Sequence, residues 1–415
     1  MIRSLRRTLR WLADPYAVLD AESKRQGLTF WMDLAPSTRV LVTGDPALVR
    51  QIIGHPDLDA GQGISALRQI LGDRSLITLD GEDHLARRRI VAPLFRDLDR
   101  FDGLTVEAAR EAAGELRPGD PFSVYDLTRR ISLRVIVRLL FGEAGTARIE
   151  KLVDAFLLSF ESPWVLFLKP LHVNLGSLTP WGRALGNRAA LQAELLERIQ
   201  VYRRSGGEGG LAHIVREGAE LSDGEIVAEV LALLLFGHDT GAATLAWAFA
   251  HLYRHPEAVS RVHEEAREEA GTAYLDACLK ESMRLAPVVV HVTRIARRDL
   301  RIGGYEVPAG TRIFPSAYLA QRNPAVFPEP ERFRPERFLE GKSYEGSYFP
   351  FGFSPRTCVG KHFVTRQMIL ITSTLIRHLD LAPAPGYVAK PARRLVLVLP
   401  REGTRMVSLG RRQAA

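Results

Sequence analysis

The sequence predicts a mainly α-helical protein with a small β region, and three observations lead there. Apolar residues recur at helical spacing over long stretches, above all Leu104–Arg204, Ser222–Arg254 and Lys361–Leu379. Strand-like runs are few and short. A loop punctuated by glycine and proline, Phe351 to Gly360, runs straight into the last of the helices. At 415 residues and 46% hydrophobic, the chain can bury a large core. Length alone suggests two or three domains, but the glycine-rich stretch Ser205–Gly210 is too short to divide independent units. One domain over residues 1–415 is expected.

Taken in order, the N-terminus Met1–Leu12 is basic and weakly amphipathic, and reads as a solvated, frayed segment. It lacks the uninterrupted apolar core of a signal peptide or membrane anchor. Pro15–Gly27 reads as a helix, Thr29–Leu34 and Thr38–Val42 as strands, and Gly44-Asp45-Pro46 opens a helix through Ile53. Residues 57–79 read as loop with short helices. In Asp80-Gly-Glu-Asp-His84-Leu-Ala-Arg87-Arg88-Arg89, His84 and Arg88 stand four apart and share a helix face, which suits an anion; Arg87 and Arg89 read as a solvated basic surface. Leu104–Arg204 is helical with breaks at Pro118–Pro121 and Ser162-Pro163. The apolar, proline-interrupted stretch from Pro163 to Val173, which includes Trp164, reads as a cover over an apolar cavity.

Ser222-Asp-Gly-Glu225 is a capping box, and a long apolar helix follows it. Gly237-His238-Asp239-Thr240-Gly241 interrupts that helix with polar groups that are costly to bury without a purpose, and predicts a local widening that frees carbonyls. Pro256–Ala270 reads as a charged surface helix. On the next helix, Glu281 and Arg284 stand three apart and can pair. Val288–Arg294 reads as extended. Short strands are expected at Leu300–Val307 and Thr311–Pro315, then a proline-dense coil over Asn323–Phe338. Arg394–Leu399 and Met406–Leu409 read as a closing hairpin.

Two cysteines, Cys278 and Cys358, give no disulfide framework. Cys278 reads as a packed apolar residue. Cys358 sits where the loop turns into a helix, so outward-pointing N–H groups stabilise a thiolate, as a metal ligand or nucleophile requires. There is no C-x-x-C-H pattern for covalent haem attachment. The net charge of +8 is spread along the chain without a nucleic-acid motif, which argues against nucleic acid as a partner.

Phe351-Gly352-x-x-x-Arg356-x-Cys358-x-Gly360 resembles the haem loop of cytochromes P450, with Ser354 where that family usually has glycine. Four further motifs fall in the family's order: Asp-Gly-x-x-His-x-x-x-Arg at Asp80, Gly-x-Asp-Thr at Gly237, Glu-x-x-Arg at Glu281, and Pro-x-Arg-Phe at Pro335. The resemblance implies the P450 fold and a haem b. It makes Cys358 the axial iron ligand, His84, Arg88, Arg294 and Arg356 propionate contacts, and Asp239 and Thr240 a proton relay. Glu281, Arg284 and Arg337 become a structural network behind the haem loop. Phe236 and Gly241 depart from the family's usual alanine and Thr or Ser.

It further implies monooxygenation of a hydrophobic small molecule, with O2 as co-substrate. Electrons come from a separate ferredoxin or flavodoxin and its reductase, since no flavin, nicotinamide or iron–sulfur motif is visible. Arg87, Arg89 and Lys361 are the basic residues expected to face that partner. The pocket residues expected are Leu235, Phe236, Val288, Val289 and Val290, with Trp164. No charged anchor for a carboxylate stands out, which favours a neutral terpenoid-like substrate in secondary metabolism and leaves fatty acids and polyketides open. A cytoplasmic bacterial monomer without a transmembrane anchor is expected. A peroxygenase or isomerase, and a non-catalytic recruitment protein, are the alternatives; Asp239-Thr240 counts against the first pair and Cys358 against the second.

Overall fold

A computed structural model describes residues 2–34, 38–72, 74–97, 99–142, 146–159, 172–267 and 271–412. Trp164 and most of its segment lie outside them. The fold is organised around the helix Asp223–Leu252, 30 residues long and capped as the sequence predicts. Glu225 N donates to Ser222 Oγ at 3.3 Å, and Ser222 N donates to Glu225 Oε2 at 3.1 Å. This helix is long and apolar enough to cross a membrane, but 83% of its apolar window is buried within the protein. Its chief partner is Val124–Phe141, and Lys361–His378 and Ala273–Leu285 also pack on it.

Among the described residues the strands form four small sheets. The largest orders β1 (Thr29–Leu34), β2 (Thr38–Thr43), β8 (Arg312–Pro315), β5 (Arg294–Ala296) and β3 (Leu58–Asp59) side by side, and only the β2–β8 pair is parallel. β6 (Leu300–Ile302) and β7 (Tyr305–Val307) form a hairpin. Near the C-terminus the expected hairpin is corrected. β10 (Pro391–Arg394) pairs with β11 (Leu397–Pro400), whereas β12 (Arg405–Arg411) pairs with β9 (Leu379–Pro383) and β4 (Pro121–Ser123). The β10–β11 turn places Leu395 at φ +53°, buried against the central helices. Burying that side chain decides a register the alternation could not.

The N-terminus is likewise corrected from frayed to docked. Ile2–Ala13 is a helix whose Trp11 and Leu12 are buried. Arg393 Nη1 donates to Trp11 O at 3.1 Å and its guanidinium lies 5.2 Å from the Trp11 ring.

Candidate functional site

The Cys358 loop is held from three sides. Gly352 adopts φ +69°, open to glycine at low cost, and Cys358 N donates to Phe351 O at 2.9 Å, closing the loop. Arg88 Nη1, from the helix Gly81–Val91, donates to Thr357 O at 2.7 Å. Gly360 caps the helix Lys361–His378, and a Cβ there would meet nothing nearer than the Phe95 ring at 3.9 Å. Cys358 presents accessible surface, yet burial pushes its thiol pKa up, while the Gly360 N–H and Arg88 pull it down. Accessible but surrounded by protein is the state of a group facing an internal cavity.

Beside it the sequence-distant cations converge. His84 is buried, its pKa lowered to about 4 by burial, then by Arg356 and Arg88. Arg294 is buried and lowered to about 10 by burial and then Arg356. Arg356 donates to Leu79 O and Asp80 Oδ1, and to Leu76 O at 3.3 Å. Beside the Asp80 carboxylate, Arg356 disfavours the charge on His84 and Arg294, and Arg88 disfavours that on His84 and Arg356, which makes a donor set suited to a further anion. Asp80 is the residue sequence reading missed. Besides Arg356, its carboxylate accepts from Ala60 N, Gly61 N and Gln62 N at 2.8, 2.9 and 3.0 Å, and so fixes the loop before the helix. Its place at the head of that motif was the available signal.

On the central helix, Thr240 is half-buried on the same face as Phe236, four residues earlier. The expected widening is not there. The helix is continuous, and Thr240 Oγ1 donates back to Phe236 O at 3.0 Å. Gly241 serves a close crossing instead, since a Cβ would lie 2.9 Å from Val364 Cγ2 on the Lys361 helix. Asp239, one position from Thr240 and three from Phe236, is buried and accepts a hydrogen bond from Tyr125 Oη.

The pocket residues divide. Phe236 is half-buried, and Val289 is 37% exposed. Val288 is half-buried against the β10–β11 region, its carbonyl accepting from Val398 N. Leu235 and Val290 are corrected: Leu235 is sealed in the core around Val124–Phe141, and Val290 packs with Trp11, Phe314 and Tyr318. A fully buried side chain one position from a cavity-facing one is the ordinary result of helical and extended periodicity.

Arg87 is also corrected from surface to core. It is buried and pairs with Glu229 at 3.3 Å and Glu225 at 3.2 Å, whereas Arg89 and Lys361 are exposed. Behind the loop, Glu281, Arg284 and Arg337 are all buried in one network. Glu281 Oε2 takes Arg284 Nε at 2.8 Å, and Oε1 takes Arg337 Nε at 3.1 Å.

A family model described as Cytochrome P450 matches residues 10–407. A Mycobacterium tuberculosis protein provisionally named cytochrome P450 137 is 31% identical over 400 residues, covering 92% of this chain and 83% of the relative. A Mycobacterium bovis relative, provisionally named cytochrome P450 135B1, is 30% identical, covering 94% of this chain and 86% of its own length. Among solved structures, a cyanobacterial CYP120A1 bound to retinoic acid superposes with a TM-score of 0.83 at 24% identity, covering 97% of this chain and 95% of that one.

Proposed function

Because this chain belongs to the cytochrome P450 family, and is therefore a haem-thiolate monooxygenase, we propose that Cys358 is its axial iron ligand and that it inserts one oxygen atom from O2 into a neutral, terpenoid-like hydrophobe. The carrying observation is the Cys358 thiol, accessible yet surrounded by protein, on a loop tied to Arg88. The donor set fits a haem b: His84, Arg88, Arg294 and Arg356 would hold its two propionates, and Gly352 and Gly360 would keep the Cys358 loop slim. When bound, the haem supplies dioxygen binding and, with a thiolate ligand, O–O cleavage. The chain's own part is to bind and to handle protons. Phe236 and Val289 contact the substrate beside Thr240, whose hydroxyl delivers a proton to the cavity after exchanging its bond to Phe236 O. Asp239 reloads it. The whole chain acts as one domain.

Electrons come from a separate acidic partner such as a ferredoxin, for which Arg89 and Lys361 offer exposed positive charge. The test is the spectrum of the reduced, haem-loaded protein with carbon monoxide. A Soret band at about 450 nm is expected of thiolate ligation, moving to about 420 nm in Cys358→His. A wild-type band at about 420 nm overturns the assignment.

A further inference from the structure

A cleft of about 270 Å³ opens between the helix Pro15–Gln26, the second half of the central helix and the Tyr318–Arg322 turn. It shares no residue with the Cys358 site or with the proposed substrate contacts. Its floor is aromatic, since Tyr16, Trp247 and Tyr318 line it and are buried. The Tyr16 and Tyr318 rings stack 4.3 Å apart, and Trp247 lies 6.4 Å from Tyr16. Each ring's polar tip is already engaged. Tyr16 Oη donates to Pro287 O at 3.1 Å, Trp247 Nε1 to Val398 O at 3.0 Å, and Tyr318 Oη to Asp20 Oδ2 at 3.0 Å. What the rings offer an occupant is carbon surface, whose electron-rich faces attract a cation as well as an apolar body.

The charges favour the same ligand. Asp14 and Asp20 stand on the lining, and neither forms an ion pair among the described residues. Asp14 Oδ1 accepts from Ala17 N at 3.1 Å, as the helix cap. Burial raises the Asp20 pKa, against the pull of its Tyr318 bond and of Arg322, so a further cation beside it would favour its charged form. Arg322 also lines the cleft, but it is committed to the protein. Its Nη2 donates to Leu285 O at 2.7 Å, its Nη1 pairs with Glu331, and its guanidinium lies 4.5 Å from the Tyr318 ring. His251 stays neutral, because burial and then Arg322 lower its pKa to about 3. The lining therefore sets two carboxylates against one guanidinium whose charge Glu331 already meets.

We propose that this cleft is a second ligand site, and that it takes a small organic cation. The ammonium would be held by Asp14 and Asp20, with its apolar body on Tyr16, Trp247 and Tyr318. Binding there makes and breaks no covalent bond. Sequence reading gave these residues no role, because they come from stretches as far apart as Asp14 and Arg322.

The test uses full-length, haem-loaded protein and benzyltrimethylammonium, whose nitrogen has no lone pair and so cannot ligate iron. Titration calorimetry is expected to give a Kd of about 1 mM or tighter, as befits a ligand of this size, with the Soret band unmoved. Phenylacetate and benzyl alcohol, an anion and a neutral molecule of similar body, are expected to bind at least about tenfold more weakly. Asp14→Asn combined with Asp20→Asn keeps the helix cap and a partner for Tyr318, and is expected to weaken binding about tenfold. Ala17→Lys sets a cation on the exposed rim, leaves every buried group in place, and is expected to weaken binding too. No heat of binding up to about 10 mM overturns the proposal. So does an affinity that the Asn and Lys variants leave unchanged, or tighter binding of phenylacetate, which would make Arg322 the anchor. A Soret shift that tracks the titration in wild type and variants alike would put the ligand in the haem cavity, and overturns it as well.

Discussion

Glu281 accepts from Arg284 on both carboxylate oxygens, Oε2 from Nε at 2.8 Å and Oε1 from Nη2 at 2.9 Å, and Oε1 also accepts from Arg337 Nε at 3.1 Å and Arg334 N at 2.9 Å. Arg284 goes on to the carbonyls of Gln321, Pro330 and Arg332, so the proline-dense coil hangs on this one cluster. A buried ion pair is weak evidence of net stability, but removing one partner strands the other charges in a low dielectric. Glu281→Ala is therefore expected to cost about 3–5 kcal/mol, read as a lower urea midpoint, with weaker haem retention because the coil leads into the Cys358 loop. A midpoint within error of wild type would contradict the account. Glu-x-x-Arg and Pro-x-Arg-Phe were legible as short patterns. That their side chains meet in the interior was not, because 56 residues separate Glu281 from Arg337.

At the scale of elements, the crossing of the central helix over Lys361–His378 depends on Gly241. Gly241→Val pushes a methyl-bearing carbon towards Val364, which lies on the first turn after the Cys358 loop. Overpacking of this kind costs about 1–3 kcal/mol. The expected result is a fraction of carbon monoxide complex moved from about 450 to about 420 nm, whereas Gly241→Ala retains more of the wild-type band. Helix ends were well read because their signals are local: the Ser222 capping box and the Asp45-Pro46 start both stand as predicted. The C-terminal hairpin was misread because two alternating runs close in sequence carry no record of which partner each takes.

Across the whole molecule, Glu229 fastens the segment before the Gly81 helix to the central helix. Its Oε2 accepts from Leu76 N at 2.8 Å and from Arg87 Nη1 at 3.3 Å. Burial raises its pKa from 4.5 to about 7, against the pull of Leu76 N and Arg87. Below pH 4.5 the carboxyl is protonated in folded and unfolded chains alike. Between 4.5 and about 7 the unfolded chain releases the proton first, so stability falls as pH rises through that window, by up to about 3 kcal/mol. Thermal midpoints of wild type and Glu229→Gln across pH 4–8 check this: the variant loses that downward slope, and an identical slope in both would refute it.

By itself the sequence determined the helical class, the Cys358 loop running into a helix, the order of the five motifs and the capped start of the central helix, since each is written in neighbouring residues. Tertiary structure alone decided which neighbouring residues are buried and which are not. Leu235 and Phe236 are adjacent, and helix rotation sends one into the core and leaves the other half-exposed. It also decided where charges go: Arg87 into the core and Arg89 to solvent, two positions apart on one helix. Tyr125 found Asp239 only because two helices distant in sequence pack antiparallel, and a hydrogen bond across 114 residues leaves no local trace.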